Sequence, residues 1–262
     1  MTPSDASPSS EAAALRARNL FGKALEIDNP GARLVVIGLG DAEDNSPGWV
    51  GRARQLEEQG DHRTAYLCLI RALAVKEDDV GPDRWDTALR LNDLAEFLER
   101  RERFAEAEEL YRRALTVFPA TDFGTGFPRN THQALARLAE AAGDQARAEL
   151  HWRGAVSCYP PDDQSWRPGA RLALGEYLYR WGRYEEALGE ILAARGHWLT
   201  VGYTVDVARA DAVAGVCLME LGRFAEAIPI LKEVIVVRDL DDPDHEDVKW
   251  VEDHVAICES WL

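Results

Sequence analysis

Near the C-terminus, His254 and Cys258 stand four residues apart, with Glu246 and Asp253 close by. These side-chain types bind zinc, and an i, i+4 spacing puts the His and the Cys on one helix face. No second ligand pair is placed to complete a tetrahedral set, and Cys258 belongs to an apolar stripe. The acids Asp239, Asp241, Asp242, Asp244, Glu246 and Asp247 crowd like a calcium loop. Pro243 falls at a ligand position there, Asp244 replaces the required glycine and Trp250 stands where the closing Glu belongs, so the run reads as a solvated helix start. The segment LVVIGLG (residues 34–40) opens like a dinucleotide-binding turn, but Gly38-Leu39-Gly40 lacks the third glycine and Asp41, Ala42 and Glu43 follow. A buried linker or short extra helix is the expectation for it. No Ser-His-Asp or Cys-His spacing stands out, and no glycine-rich loop precedes a helix with a Lys. The expectations are therefore no catalytic residue, no metal, no cofactor and no enzymatic activity.

Bulk charge narrows the partners. Thirty basic residues face 46 acidic ones, a formal charge of −16. That field repels phosphate backbones, which argues against nucleic acid and anionic membrane as partners. It also keeps an extended protein in solution. The longest apolar run, residues 34–39, is far too short to span a bilayer. Residues 1–10 are polar, with no basic segment followed by an apolar one, so they read as a disordered tail and not as a signal peptide. Cys68, Cys158, Cys217 and Cys258 form no C-x-x-C pair and fall in helical stretches, as small apolar residues of a reducing compartment do. A cytoplasmic location follows as the expectation.

Self-similarity supplies the architecture. Gly60, Glu102, Gly143, Gly182 and Gly222 recur at about 40 residues, the period of a helical repeat. Five positions after each stands an alanine: Ala65, Ala107, Ala148, Ala187 and Ala227. Seven further on come Ala72, Ala114, Ala155, Ala194 and Val234, and between the two sets lies a large residue: Leu69, Tyr111, Trp152, Ile191 or Leu231. Seven positions before the aligned turn the side chain is small again: Ala53, Ala95, Ala136, Gly175 and Gly215. Intervals of four and three trace one face of a helix. Each unit is thus predicted to be a helix, a tight turn and an antiparallel helix whose small residues let the axes approach closely. One hairpin cannot bury its apolar face alone, so the units must stack.

This pattern resembles the tetratricopeptide repeat. Trp49 takes the first aromatic position of repeat one, and Pro119 and Pro160 take the closing-proline position of repeats two and three. Residues 91–117, LNDLAEFLERRERFAEAEELYRRALTV, are similar to the longer repeats of kinesin light chains. The resemblance implies an all-α fold, a right-handed α-solenoid of five antiparallel helical hairpins over residues 46–241. A C-terminal capping helix would cover residues 242–262, and an N-terminal helix and linker would occupy residues 11–45. In the first, Val248, Val251, Val255, Cys258 and Leu262 form the inward stripe, flanked by Trp250, Ile257 and Trp261. In the second, Ala17, Phe21 and Ala24 repeat the small–large–small signature. Glu102 at a turn position, Arg52 for the usual Leu and Ala139 for a large residue depart from the pattern; the last two make repeats one and three the looser ones.

The resemblance also implies a protein-interaction scaffold or adaptor, holding a peptide or helix of another protein in the groove lined by first helices. Its groove positions fall on Val50, Arg54 and Glu57; Asn92, Asp93, Glu96 and Arg100; Gln133, Arg137 and Glu140; Leu172, Glu176, Tyr179 and Arg180; and Ala212, Val216 and Met219. Arg54, Asn92, Glu96, Gln133, Arg137, Glu176 and Tyr179 are the candidate contacts. No groove position is Lys, so the family's clamp for a terminal carboxylate is not expected. A sensory or regulatory domain binding a signalling peptide or small molecule is the alternative, an enzyme comes third, and a structural subunit that self-associates through the outer face is also open. Phe123, Phe127 and Trp166 lie in inter-repeat loops as further contacts or as rings tucked onto neighbouring helices.

Overall fold

A computed structural model describes residues 11–12, 15, 21–29, 46–118, 126–160, 163, 165–239 and 246–262. Among these residues the regular structure is all helix. Helix α1 spans Phe21–Asp28, α2 Ser46–Glu58, α3 His62–Val80, α4 Trp85–Glu99, α5 Phe104–Val117 and α6 Phe127–Ala141. Helix α7 spans Gln145–Ser157, α8 Arg167–Arg180, α9 Tyr184–Val201, α10 Thr204–Glu220, α11 Phe224–Asp239 and α12 Glu246–Ser260. Among the described residues α2/α3, α4/α5, α8/α9 and α10/α11 pack as helix–turn–helix pairs, a turn of the same kind joins α6 to α7, and α12 packs on α11. The chain divides into two compact units, residues 1–138 and 139–262. None of the described helices is long and apolar enough to cross a membrane.

All five hairpin turns are built alike. Gly60, Glu102, Gly143, Gly182 and Gly222 have φ of 82°, 60°, 73°, 73° and 71°, the left-handed conformation that ends a helix. The next residue donates its N–H to a carbonyl five residues back: Asp61 to Leu56, Arg103 to Leu98, Asp144 to Ala139, Arg183 to Leu178 and Arg223 to Leu218, at 2.8–3.0 Å. This is the Schellman arrangement, which satisfies carbonyls the helix end leaves open. Two second helices start on an aspartate cap, Asp61 accepting from Thr64 N and Asp144 from Arg147 N, both at 3.0 Å. The other three place an Arg there, paired with a Glu three residues on: Arg103–Glu106, Arg183–Glu186 and Arg223–Glu226.

The small–large–small faces are buried throughout. The five alanines that follow the turns are fully covered, and so are Ile191 and Leu231. A Cβ on Gly175 would come within 2.5 Å of Ile191 Cγ1, and one on Gly215 would collide with the Leu231 side chain. Backbones pack this tightly only where the facing residue lacks a side chain. Ala139, the small residue of repeat three, is buried as well.

In the first unit α1 packs on α3. The buried Glu77 carboxylate accepts from Gly22 N at 2.8 Å and Lys23 N at 3.0 Å, and Arg71 pairs with the buried Glu26 at 3.0 Å. A Cβ on Gly22 would strike the backbone of Leu73 and Ala74. In the second unit Val251, Val255 and Cys258 turn inward from α12. Leu262, expected in that stripe, is exposed because the helix ends at Ser260 and leaves it beyond the last turn. Trp261 stacks on Phe224, ring centroids 5.9 Å apart. The calcium-like run, the 31–45 segment, Pro119, Phe123 and the side chains of Phe21, Ala24 and Val248 lie wholly or mostly outside the described residues.

None of the cysteines is disulfide-bonded. Cys158 departs from the expectation of full burial: it caps α7 and is only half-buried. Burial pushes the Cys68 thiol up to about 11 and the Cys217 thiol up to about 12, which leaves both inert.

Candidate functional site

The first unit holds a pocket of about 670 Å³ between α4, α5 and α6. From α4 and its C-cap come Glu96, Glu99 and Arg100, from α5 Phe104 and Tyr111, and from α6 Asn130, Gln133, Ala134 and Arg137. The repeat register explains the convergence. Glu99 stands three residues before its turn, as Glu57 and Glu140 do before theirs, on the helix face that meets the next repeat. Each of the three carboxylates accepts an arginine from the following first helix or its C-cap. Arg100 grips Glu57 at 3.1 and 2.9 Å, Arg137 reaches Glu99 at 3.3 Å, and Arg180 reaches Glu140 at 2.8 Å.

The large residue of the second helix joins this device where its chemistry allows. Tyr111 Oη donates to Glu99 at 2.8 Å and Trp152 Nε1 to Glu140 at 2.7 Å. Leu69 has no group to donate; in its place Arg101 adds a third bond to Glu57, at 3.3 Å. The Arg100 guanidinium holds the Glu57 carboxyl below the usual carboxylate range. Burial pushes the Glu96 carboxyl up, and the neighbouring Asp93 carboxylate adds to the shift. Burial, then the Glu99 hydrogen bond, drives the Tyr111 phenol far upward, so it acts only as a donor.

Of the expected contacts, Glu96, Gln133 and Arg137 meet at this pocket. Arg54 is exposed on α2, with its charge acting on Asp93. Asn92 is buried and donates from Nδ2 to Thr131 Oγ1 at 2.7 Å, tying α4 to α6 behind the pocket wall. In the second unit Glu176 lies 3.5 Å from Arg209, and Tyr179 rests against Tyr184 with ring centroids 5.6 Å apart. Leu172 and Val216, expected to face the groove, are buried, as apolar side chains gain by leaving water. Phe127 lies beside Trp85, and Trp166 is half-exposed. Glu99, Phe104, Tyr111 and Asn130 were not expected as groove residues; the match of Glu99 to Glu57 and Glu140 in register was the signal for the first. Among the described residues no group of His, Cys, Asp and Glu is placed to hold a metal ion.

The hairpins, their turns and their spacing have counterparts in known proteins. Residues 48–120 match the tetratricopeptide repeat family. Over that stretch the helical pairs are tetratricopeptide repeats. The fold is similar to that of BtubC (BKLC) from P. vanneervenii, 17% identical with a TM-score of 0.64, over 92% of this chain and 94% of that one. The kinesin light chain-type repeats of Podosopora anserina are 14% identical, TM-score 0.59, over 75% and 96% of the two chains. YrrB, a TPR protein with an unusual peptide-binding site, is 16% identical, TM-score 0.52, over 85% and 99%. At these identities the likeness lies in the fold, an α-solenoid of long tetratricopeptide repeats. No curated protein matches the chain in sequence.

Proposed function

We propose that this protein is a non-catalytic scaffold that binds a peptide or helix of another protein along the face made by the first helices of its repeats. The observation that carries the reading is the α4–α5–α6 pocket, where Glu96, Gln133 and Arg137 meet on that face. YrrB, a TPR protein with an unusual peptide-binding site, adds support by its fold. Amphipathic helices and extended peptides dock in such grooves through a few side-chain anchors. Arg54, Gln133 and Arg137 contact the partner in this reading, Asn92 braces the wall behind them, and Glu176 and Tyr179 supply contacts in the second unit. The setting is cytoplasmic, in keeping with four cysteines that are not disulfide-bonded.

The test is capture from native lysate by the wild type and by the double variant Arg54→Ala, Gln133→Trp, which fills the pocket without changing the charge of its lining. Neither side chain is buried, so the variant should keep wild-type helicity and melting. Partner capture should fall at least about tenfold. Undiminished capture would show that the groove is not the site.

A further inference from the structure

Both arginines that line the α4–α5–α6 pocket are ion-paired to carboxylates other than Glu96, on which they act only at longer range. Arg100 is held by both oxygens of Glu57, and Arg137 by Glu99. The second Glu99 oxygen accepts the Tyr111 hydroxyl. Glu96 alone carries a charge that no hydrogen bond or ion pair among the described residues answers, and it lines the same pocket. The ring of Phe104 is 45% exposed and gives the pocket an apolar wall.

We infer that this pocket takes one basic side chain, arginine or lysine, of the bound peptide, with Glu96 as its counter-ion and Phe104 against its aliphatic stem. The inference rests on the scaffold reading above and names its ligand chemistry. An acidic side chain would meet the carboxylates of Glu96 and Glu99, and a neutral one would leave Glu96 to solvent. A guanidinium suits the site best, since it pairs with a carboxylate and stacks on an aromatic ring at once. Glu96 is exposed, so its carboxylate is open to a cation that enters the pocket.

The experiment titrates the full chain with N-acetyl-arginine methylamide and, separately, with its neutral isostere N-acetyl-citrulline methylamide, following backbone amide shifts by NMR. The arginine amide should move residues 96, 104 and 137 saturably, with a dissociation constant on the order of 1–10 mM. Citrulline should bind about tenfold more weakly, and Glu96→Gln should weaken arginine about tenfold with its amide spectrum otherwise unchanged. Phe104→Ala should weaken arginine about threefold while Glu96 still responds. No saturable shift, equal binding of citrulline, or undiminished binding by Glu96→Gln overturns the assignment. The two readings fail separately. Groove-dependent capture without arginine binding leaves the scaffold standing and removes the basic anchor. Arginine binding with groove-independent capture leaves a cation site and removes the scaffold.

Discussion

Glu102 holds a backbone conformation that costs a side-chain-bearing residue roughly 1 kcal/mol or more. It is the only non-glycine among the described residues with positive φ, in a turn that four other repeats give to glycine. Glu102→Gly should therefore stabilise the protein by about 1 kcal/mol, seen as a rise of about 2 °C in melting temperature. A β-branched residue there should lower it. A second residue-scale expectation concerns Asp211, which is buried on α10 and paired with Arg195 of α9. Removing the arginine strands a buried carboxylate; removing the aspartate frees an arginine that is partly exposed and can turn to water. Arg195→Met should cost about 3 kcal/mol at neutral pH, and Asp211→Asn clearly less. Burial pushes Asp211 up and Arg195 opposes it, so the variant carboxyl rises further. A folded-state value above the unfolded one gives stability that is present at acid pH and lost as pH rises through it. Urea melts of Arg195→Met should thus show a smaller deficit near about pH 4 than at about pH 7.

At the scale of elements, the contrast between two glycines tests how helices seat. Gly175 faces the Ile191 side chain, which can rotate, whereas Gly22 faces the backbone of α3, which cannot. Gly175→Ala combines an overpacking cost of about 1–3 kcal/mol with a helix-propensity gain of about 1 kcal/mol, so its net effect should be modest. Gly22→Ala should push α1 off α3 and break the bonds from Gly22 and Lys23 to Glu77. Amide exchange over residues 21–28 should accelerate at least about tenfold while α9 to α11 stay protected. Unaltered exchange there would mean that α1 seats by another contact. Much of this scale was legible beforehand, because the alanine and glycine positions that let helices approach recur in register. The docking of α1 through Glu77 was not, since a lone glutamate 55 residues from its partners carries no periodic signal.

At the scale of the whole molecule, a charge of −16 makes self-repulsion a general term. Raising salt from about 20 to about 300 mM should raise the melting temperature by a few degrees, because screening relieves more repulsion than it weakens exposed pairs. A fall would show that the arginine–glutamate pairs between repeats outweigh it. The sequence alone determined the hairpins, their turns and the small residues that face each other, because each is set by neighbours three, four or five residues apart. Only the tertiary structure decided what the outward positions do. Leu172 and Val216 went inside, Leu262 was left outside beyond the helix end, and Asn92 was drawn to Thr131. Which outward side chain is covered depends on atoms some 40 residues away, one repeat along the chain. The same distance separates Arg137 from Glu99, and that pairing is what leaves Glu96 as the unanswered charge in the pocket.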